Sequence, residues 1–96
     1  MNQDEKWMKI ALEEAIKAEK EGEVPVGSVL VKNGMLIAKA HNQPISRNDP
    51  TAHAEIQLIR NGGIKQDNYR LTGTSLYVTL EPCAMCVGAM MHARIE

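Results

Sequence analysis

The sequence contains no phenylalanine, one tryptophan and two tyrosines, so its core must be assembled from Ile, Leu, Val, Met and Ala. Two cysteines, three residues apart, are too few for a disulfide framework and leave both thiols open to a metal in a reducing setting. The formal charge is −1 and the pI about 6.3, so there is no bulk attraction for nucleic acid; a basic face for RNA must be local or supplied from elsewhere. No apolar run approaches the length of a membrane span, and no positive segment followed by an apolar one opens the chain as a signal peptide does. Repeats, low-complexity tracts and linker-like stretches are also missing. These absences leave a single small cytoplasmic domain, residues 1–96, near the lower size limit for a self-sufficient core.

Apolar residues make up 44% of the chain, and their spacing is regular. Trp7, Met8, Ala11, Leu12, Ala15, Ile16 and Ala18 recur every three or four residues and predict an amphipathic helix from Asp4 to Lys20. Asn2-Gln3-Asp4-Glu5 offers a weak capping box at its start, and Gly22 a stop at its end. Val24 to Val31 is a β-branched run that meets Asn33-Gly34, the strongest short hairpin signal, and Met35 to Ala40 supplies the returning strand. After His41-Asn42-Gln43-Pro44 a polar loop through Ser46, Arg47 and Asn48 is expected. Asp49-Pro50 then reads as the start of a second helix carrying Ile56, Leu58 and Ile59 and ending at Gly62-Gly63. A polar connector from Lys65 to Arg70 leads to a strand over Ser75–Leu80, and Pro82 opens a last helix. Helix, hairpin, helix, strand and helix in this order give an α/β layered sandwich built on a mixed sheet. Its last strand is left as an exposed edge or in need of a partner chain.

Two segments carry the chemistry: Thr51-Ala52-His53-Ala54-Glu55, and Leu80-Glu81-Pro82-Cys83-Ala84-Met85-Cys86. A Cys-x-x-Cys pair at a helix start serves either as zinc ligands or as a redox dithiol, because the helix dipole favours thiolate in both cases. A histidine or an acidic residue in a first turn is ordinarily a capping or surface residue. Together, His53, Cys83 and Cys86 make three donors, and a three-ligand zinc site keeps one position open where a structural site would be closed. Zinc in such a set lowers the pKa of water from 15.7 toward roughly 7. Glu55 is then a carboxylate free to move protons to a ring nitrogen and a leaving amine. His41 reads as a strand-end residue, and His92 lies about two turns beyond Cys86, too far to join the same sphere. The chemistry indicated is hydrolytic deamination of an amidine-like carbon, as in a nucleobase.

His-x-Glu followed by Pro-Cys-x-x-Cys resembles the signature of the zinc-dependent nucleobase deaminases. Glu23 to Gly27, Asn42 to Ile45, Asp49 to Ile56, Asn68 to Leu71, Leu76 to Cys83 and His92 to Ile95 are similar, within that superfamily, to the bacterial tRNA-specific adenosine deaminases. That resemblance implies a three-layer α/β/α cytidine-deaminase-like fold and deamination of wobble adenosine to inosine in a tRNA anticodon loop, by a homodimer. It implies His53, Cys83 and Cys86 as ligands of Zn2+ and Glu55 as proton shuttle. Asn42 is implied as a hydrogen-bonding partner of the nucleoside, though it would serve equally as a strand-end cap, and the backbone of Ala54 is implied as a contact to the base. Against the family, the chain corresponds to the N-terminal two-thirds of the domain, ending before the last two strands and the C-terminal helices. Alternatives are a free guanine or cytosine deaminase, a zinc-binding fragment without turnover, and a Cys83–Cys86 redox pair.

Overall fold

The computed structural model describes residues 3–80 and 82–95. Asn2 of the expected capping box, Glu81 of the second motif and Glu96 lie outside these. The described elements are α1 (Gln3–Lys20), β1 (Gly27–Lys32), β2 (Met35–His41), α2 (Pro44–Arg47), α3 (Ala54–Gln66), β3 (Thr74–Val78) and α4 (Ala84–Ala93).

β1 is the central strand of the sheet, in the order β2-β1-β3, and pairs antiparallel with both neighbours. The mixed pairing expected of the sheet is therefore not found among the described residues. The hairpin turn is where the sequence placed it: Asn33 (φ 51°) and Gly34 (φ 73°) both take the left-handed conformation that a two-residue turn of this hand requires. The register shifts between Leu30 and Val31, so that Ile37 is bulged out. The hairpin's first strand begins at Gly27 rather than Val24, and β3 ends at Val78 rather than Leu80.

Alternate residues of β1 face two separate cores. Val29 and Val31 pack with Trp7 and Ala11 of α1, while Leu30 packs with Leu58 of α3, Leu71 and Ala93 of α4. Helices thus cover both faces, and the three-layer α/β/α arrangement follows from the period of two along a single strand. α1 approaches its face unusually closely. A Cβ on Gly27 would overlap the carbonyl oxygen of Ala11 and the amide nitrogen of Ala15. Helix backbone cannot move aside as a flexible side chain does, so Gly27→Ala is expected to lower stability by about 3 kcal/mol, the upper end of the overpacking range. In a domain of this size that is a fall of more than ~10 °C in Tm, and an unchanged melting curve would refute the close packing.

The narrow contact also explains a departure from the expected apolar face. Trp7, Ala11, Ala15 and Ala18 are buried, but Leu12 and Ile16 are 53% and 52% exposed, because the seven apolar residues span a wider arc than the sheet covers. α1 stops as expected: Gly22 is left-handed, and Glu23 N–H and Gly22 N–H return to the carbonyls of Ala18 and Glu19.

Three further expectations are corrected. The polar loop after Pro44 contains one helical turn, α2, whose first free amides have a remote acceptor: Glu23 accepts from the N–H of Ile45 (3.1 Å) and of Ser46 (2.8 Å) and from the Ser46 hydroxyl. Asp49-Pro50 does not open the next helix. Asp49 Oδ1 accepts from the N–H and hydroxyl of Thr51 at 2.9 and 2.6 Å, which closes a turn and delays α3 to Ala54. Gly62-Gly63 does not end α3 either. Gly62 lies against Leu30 and Leu71, where a Cβ would meet the Leu30 side chain, so it is a point of helix–sheet contact. The stop comes at left-handed Asp67, with Asn68 N–H bonded to the Gly63 carbonyl.

Candidate metal centre and active site

His53 and Cys83 occupy equivalent places, the N-cap positions of α3 and α4, in extended backbone and with no side-chain capping bond. An N-cap side chain normally accepts a hydrogen bond from the helix's first amides. Here the two side chains face each other at 3.6 Å, with the first amides of α4 acting on the Cys83 sulfur. Cys86 follows one turn into α4 and is fully buried, whereas Cys83 is exposed.

The helix starts are brought together by two consecutive residues of β1. The Ser28 hydroxyl donates to the Ala54 carbonyl at 2.9 Å and fixes the beginning of α3. Gly27 exchanges bonds with Thr79, its N–H donating to Thr79 Oγ1 and its carbonyl accepting from Thr79 N–H, both at 3.1 Å, and Thr79 leads toward Cys83. Sequence reading did not single out Gly27, Ser28 or Thr79. The available signal was a glycine and a serine inside an otherwise β-branched apolar run.

The resulting donor set is His53 Nδ1, Cys83 Sγ and Cys86 Sγ, and all three pairwise distances are 3.6 Å. Bonds of about 2.3 Å to sulfur and 2.0–2.1 Å to nitrogen at tetrahedral angles would separate two sulfurs by about 3.8 Å and sulfur from nitrogen by about 3.6 Å. The triangle is thus the size of three corners of a zinc tetrahedron, and the donor types are those zinc prefers. Among the described residues this is the one group of three or more His, Cys, Asp or Glu that could hold a metal ion. Glu55 is outside it. Both cysteines are free thiols.

Glu55 is nonetheless close, since its charge acts on both sulfurs. Burial, then the Glu55 carboxylate, pushes the Cys86 thiol up to about 12. Cys83 is held below the ordinary thiol value by the backbone N–H and then the thiol of Cys86, against its own burial and Glu55. A buried thiol beside a carboxylate resists ionisation, and a divalent cation reverses that preference by holding the sulfur as thiolate.

Asn42 is buried, and its Oδ1 accepts the N–H of Ala54 at 2.8 Å. The structure therefore joins the two residues expected to meet the substrate: the Ala54 amide is engaged within the protein, and Asn42 keeps its Nδ2 group as a donor. Gln43 ties the same segment to α3, with its N–H on the Ala52 carbonyl and its Oε1 accepting from Gln57 Nε2 at 2.9 Å. His92 is exposed on α4 and outside the donor triangle.

Comparisons with known proteins agree with this geometry. Residues 1–96 match the family described as the cytidine and deoxycytidylate deaminase zinc-binding region. The chain is 53% identical over 95 residues to the tRNA-specific adenosine deaminase of Buchnera aphidicola subsp. Schizaphis graminum, covering 99% of this chain and 63% of that protein. It is 51% identical over 96 residues to the tRNA-specific adenosine deaminase of Bacillus subtilis, covering 100% of this chain and 60% of that one. It therefore spans about three-fifths of these relatives' length. Among solved structures, one from work on A-to-I editing by tRNA:A34 deaminases superposes with a TM-score of 0.95 at 47% identity, covering 98% of this chain and 72% of that one. The guanine deaminase of Bacillus subtilis superposes with a TM-score of 0.93 at 40% identity, covering 100% and 61%. With a match running the whole length of the chain and a donor triangle of the size zinc needs, this chain belongs to the cytidine and deoxycytidylate deaminase zinc-binding family.

Proposed function

We propose that the chain carries the catalytic centre of a hydrolase that deaminates adenosine to inosine at the wobble position of a tRNA anticodon loop. The observation that carries this is the 3.6 Å triangle of His53, Cys83 and Cys86 with an adjacent carboxylate that is not one of its corners. His53, Cys83 and Cys86 would hold Zn2+, which supplies a Lewis acid that makes water nucleophilic near neutral pH. Glu55 moves the protons: it accepts one from the attacking water, passes it to the ring nitrogen next to the reacting carbon, and protonates the amine that leaves as ammonia. Water and adenosine are consumed, and inosine and ammonia are formed. Asn42, with Oδ1 committed to Ala54, presents Nδ2 as a donor to the nucleoside.

The choice of tRNA as substrate is supported by the tRNA-specific adenosine deaminases at 51–53% identity. A second reading, deamination of free guanine, is supported by the guanine deaminase whose structure this chain resembles. A homodimer fits the apolar side chains left exposed on and before α4, namely Leu80, Met85, Val87 and Met91. Among the described residues no helix is long and apolar enough to cross a membrane, which accords with a cytoplasmic setting.

The test offers the zinc-loaded chain an anticodon stem-loop, free guanine, free cytosine and adenosine, and measures ammonia and inosine. Inosine formed from the stem-loop alone is expected. Ammonia from guanine alone would replace the proposal with the second reading. Tight zinc binding without ammonia from any substrate would leave a metal-binding module.

A further inference from the structure

His41 has no part in the zinc centre, yet both of its ring nitrogens face a carboxylate. Its Nδ1 lies 3.1 Å from Glu14 Oε1 and its Nε2 lies 3.1 Å from Glu21 Oε1. The imidazole side chain is only 13% exposed and that of Glu14 only 5%. Carboxylates accept and do not donate when ionised, so satisfying both contacts takes two N–H groups, which only the protonated ring has. The pocket exists because Gly27, the cross-strand partner of His41, has no side chain: α1 presses onto β1 there and brings Glu14 over the end of β2.

The neighbour that matters is Asn42. It follows His41 in the chain, its N–H bonds the Val26 carbonyl, and its side chain holds the Ala54 amide at the start of α3. We propose that His41 is a positioning residue: held as imidazolium between Glu14 and Glu21, it clamps the end of β2 to α1 and so sets the Asn42 amide that meets the substrate. The substrate arm of the proposal rests on the deaminase reading above; the clamp itself does not.

The charges around the ring are defined. Glu14 and Lys17 face it from α1, with Lys17 Nζ 2.7 Å from Glu14 Oε2. Glu21 comes from the turn after α1, Glu23 acts on it at longer range, and Lys39, two residues earlier on the same face of β2, lies by Lys17. Burial works to raise the Glu14 carboxyl, but the hydrogen bonds and charges of Lys17 and His41 outweigh it and hold the group below its ordinary value. Glu14 is therefore ionised at neutral pH and accepts from the imidazole.

The Ala54 amide reports the clamp directly, since its N–H donates to the Asn42 side chain. In the zinc-loaded chain, exchange of that amide is expected to be about tenfold faster in His41→Gln than in the unaltered chain, the scale of one charge-assisted hydrogen bond. Glu21→Gln, which alters only the more exposed carboxylate, keeps the folded core and shows a smaller increase. On the stem-loop, His41→Gln is expected to raise KM about tenfold with kcat little changed, as loss of substrate binding does. Exchange of the Ala54 amide at the same rate in His41→Gln as in the unaltered chain would overturn the clamp. A stem-loop that yields no inosine even with the unaltered chain would instead refute the tRNA reading, while the exchange result still decides the clamp.

Discussion

Glu55→Ala is expected to bind as much zinc as the unaltered chain and to lose at least about 10²–10⁴-fold in deamination rate, the contribution of a positioned general acid–base. The two halves of this result have separate origins. The metal's donors are His53 Nδ1 and the two sulfurs, and the Glu55 carboxylate is not among them. Its removal leaves the 3.6 Å triangle intact. The rate falls because Glu55 sits in the first turn of α3, two residues from His53, where its charge reaches both thiols. Glu55 is 4% exposed, so bulk water is a poor substitute for it in moving protons. The measurement pairs metal content with single-turnover ammonia release. Turnover retained in the variant would remove Glu55 from the mechanism. Lost zinc would make it a structural support of the site. Glu55→Gln sharpens the test, since it keeps the shape and the first-turn position but cannot accept the proton.

The chemistry was legible in the sequence because it depends on residue type and local spacing. Cys83 and Cys86 are one helical turn apart, and His53 and Glu55 flank a helix start. These short-range facts survive whatever the rest of the chain does. The hairpin was legible for the same reason, since Asn33-Gly34 fits few other conformations. The helix boundaries around the site were not. Asp49-Pro50 carries every local mark of a helix start, but the Asp49 side chain satisfies Thr51 instead, and α3 begins where Ser28, twenty-six residues away, holds the Ala54 carbonyl. Glu23, remote in sequence from α2, supplies the acceptor for that helix. Gly62-Gly63 reads as a stop, yet Gly62 is glycine for the sake of Leu30 on another element. In each case a long-range contact overrides a local preference, and spacing carries no trace of it. The sequence showed β1 only as a continuous β-branched run; that it is buried on both faces, and which helix covers each, is decided by packing.

Cys86→Ala separates the metal's share of stability from the fold's own. Without metal, Cys86 is a fully buried thiol pushed up to about 12, close to Glu55 and to Cys83. In that state alanine replaces a small neutral group, and the expected change is on the order of 1 kcal/mol, a modest cavity. With zinc the comparison changes. The unaltered chain gains stability as the metal binds the folded state, by about 4 kcal/mol when free zinc is 1,000 times Kd. Near this chain length that is a rise of roughly 16–32 °C in Tm, at about 4–8 °C per kcal/mol. Two donors, His53 and Cys83, remain in the variant, and the expected zinc-dependent rise in its Tm is small or absent. Cys83→Ala provides the contrast: its sulfur is exposed, so it should melt like the unaltered chain without metal and still lose the zinc-dependent rise. A zinc-dependent rise of equal size in all three proteins would place the metal elsewhere. A chain that holds no zinc after gentle purification but forms a reversible Cys83–Cys86 disulfide would make the pair a redox dithiol. The 3.6 Å triangle predicts the metal, because a redox pair has no use for His53 at the same distance from both sulfurs.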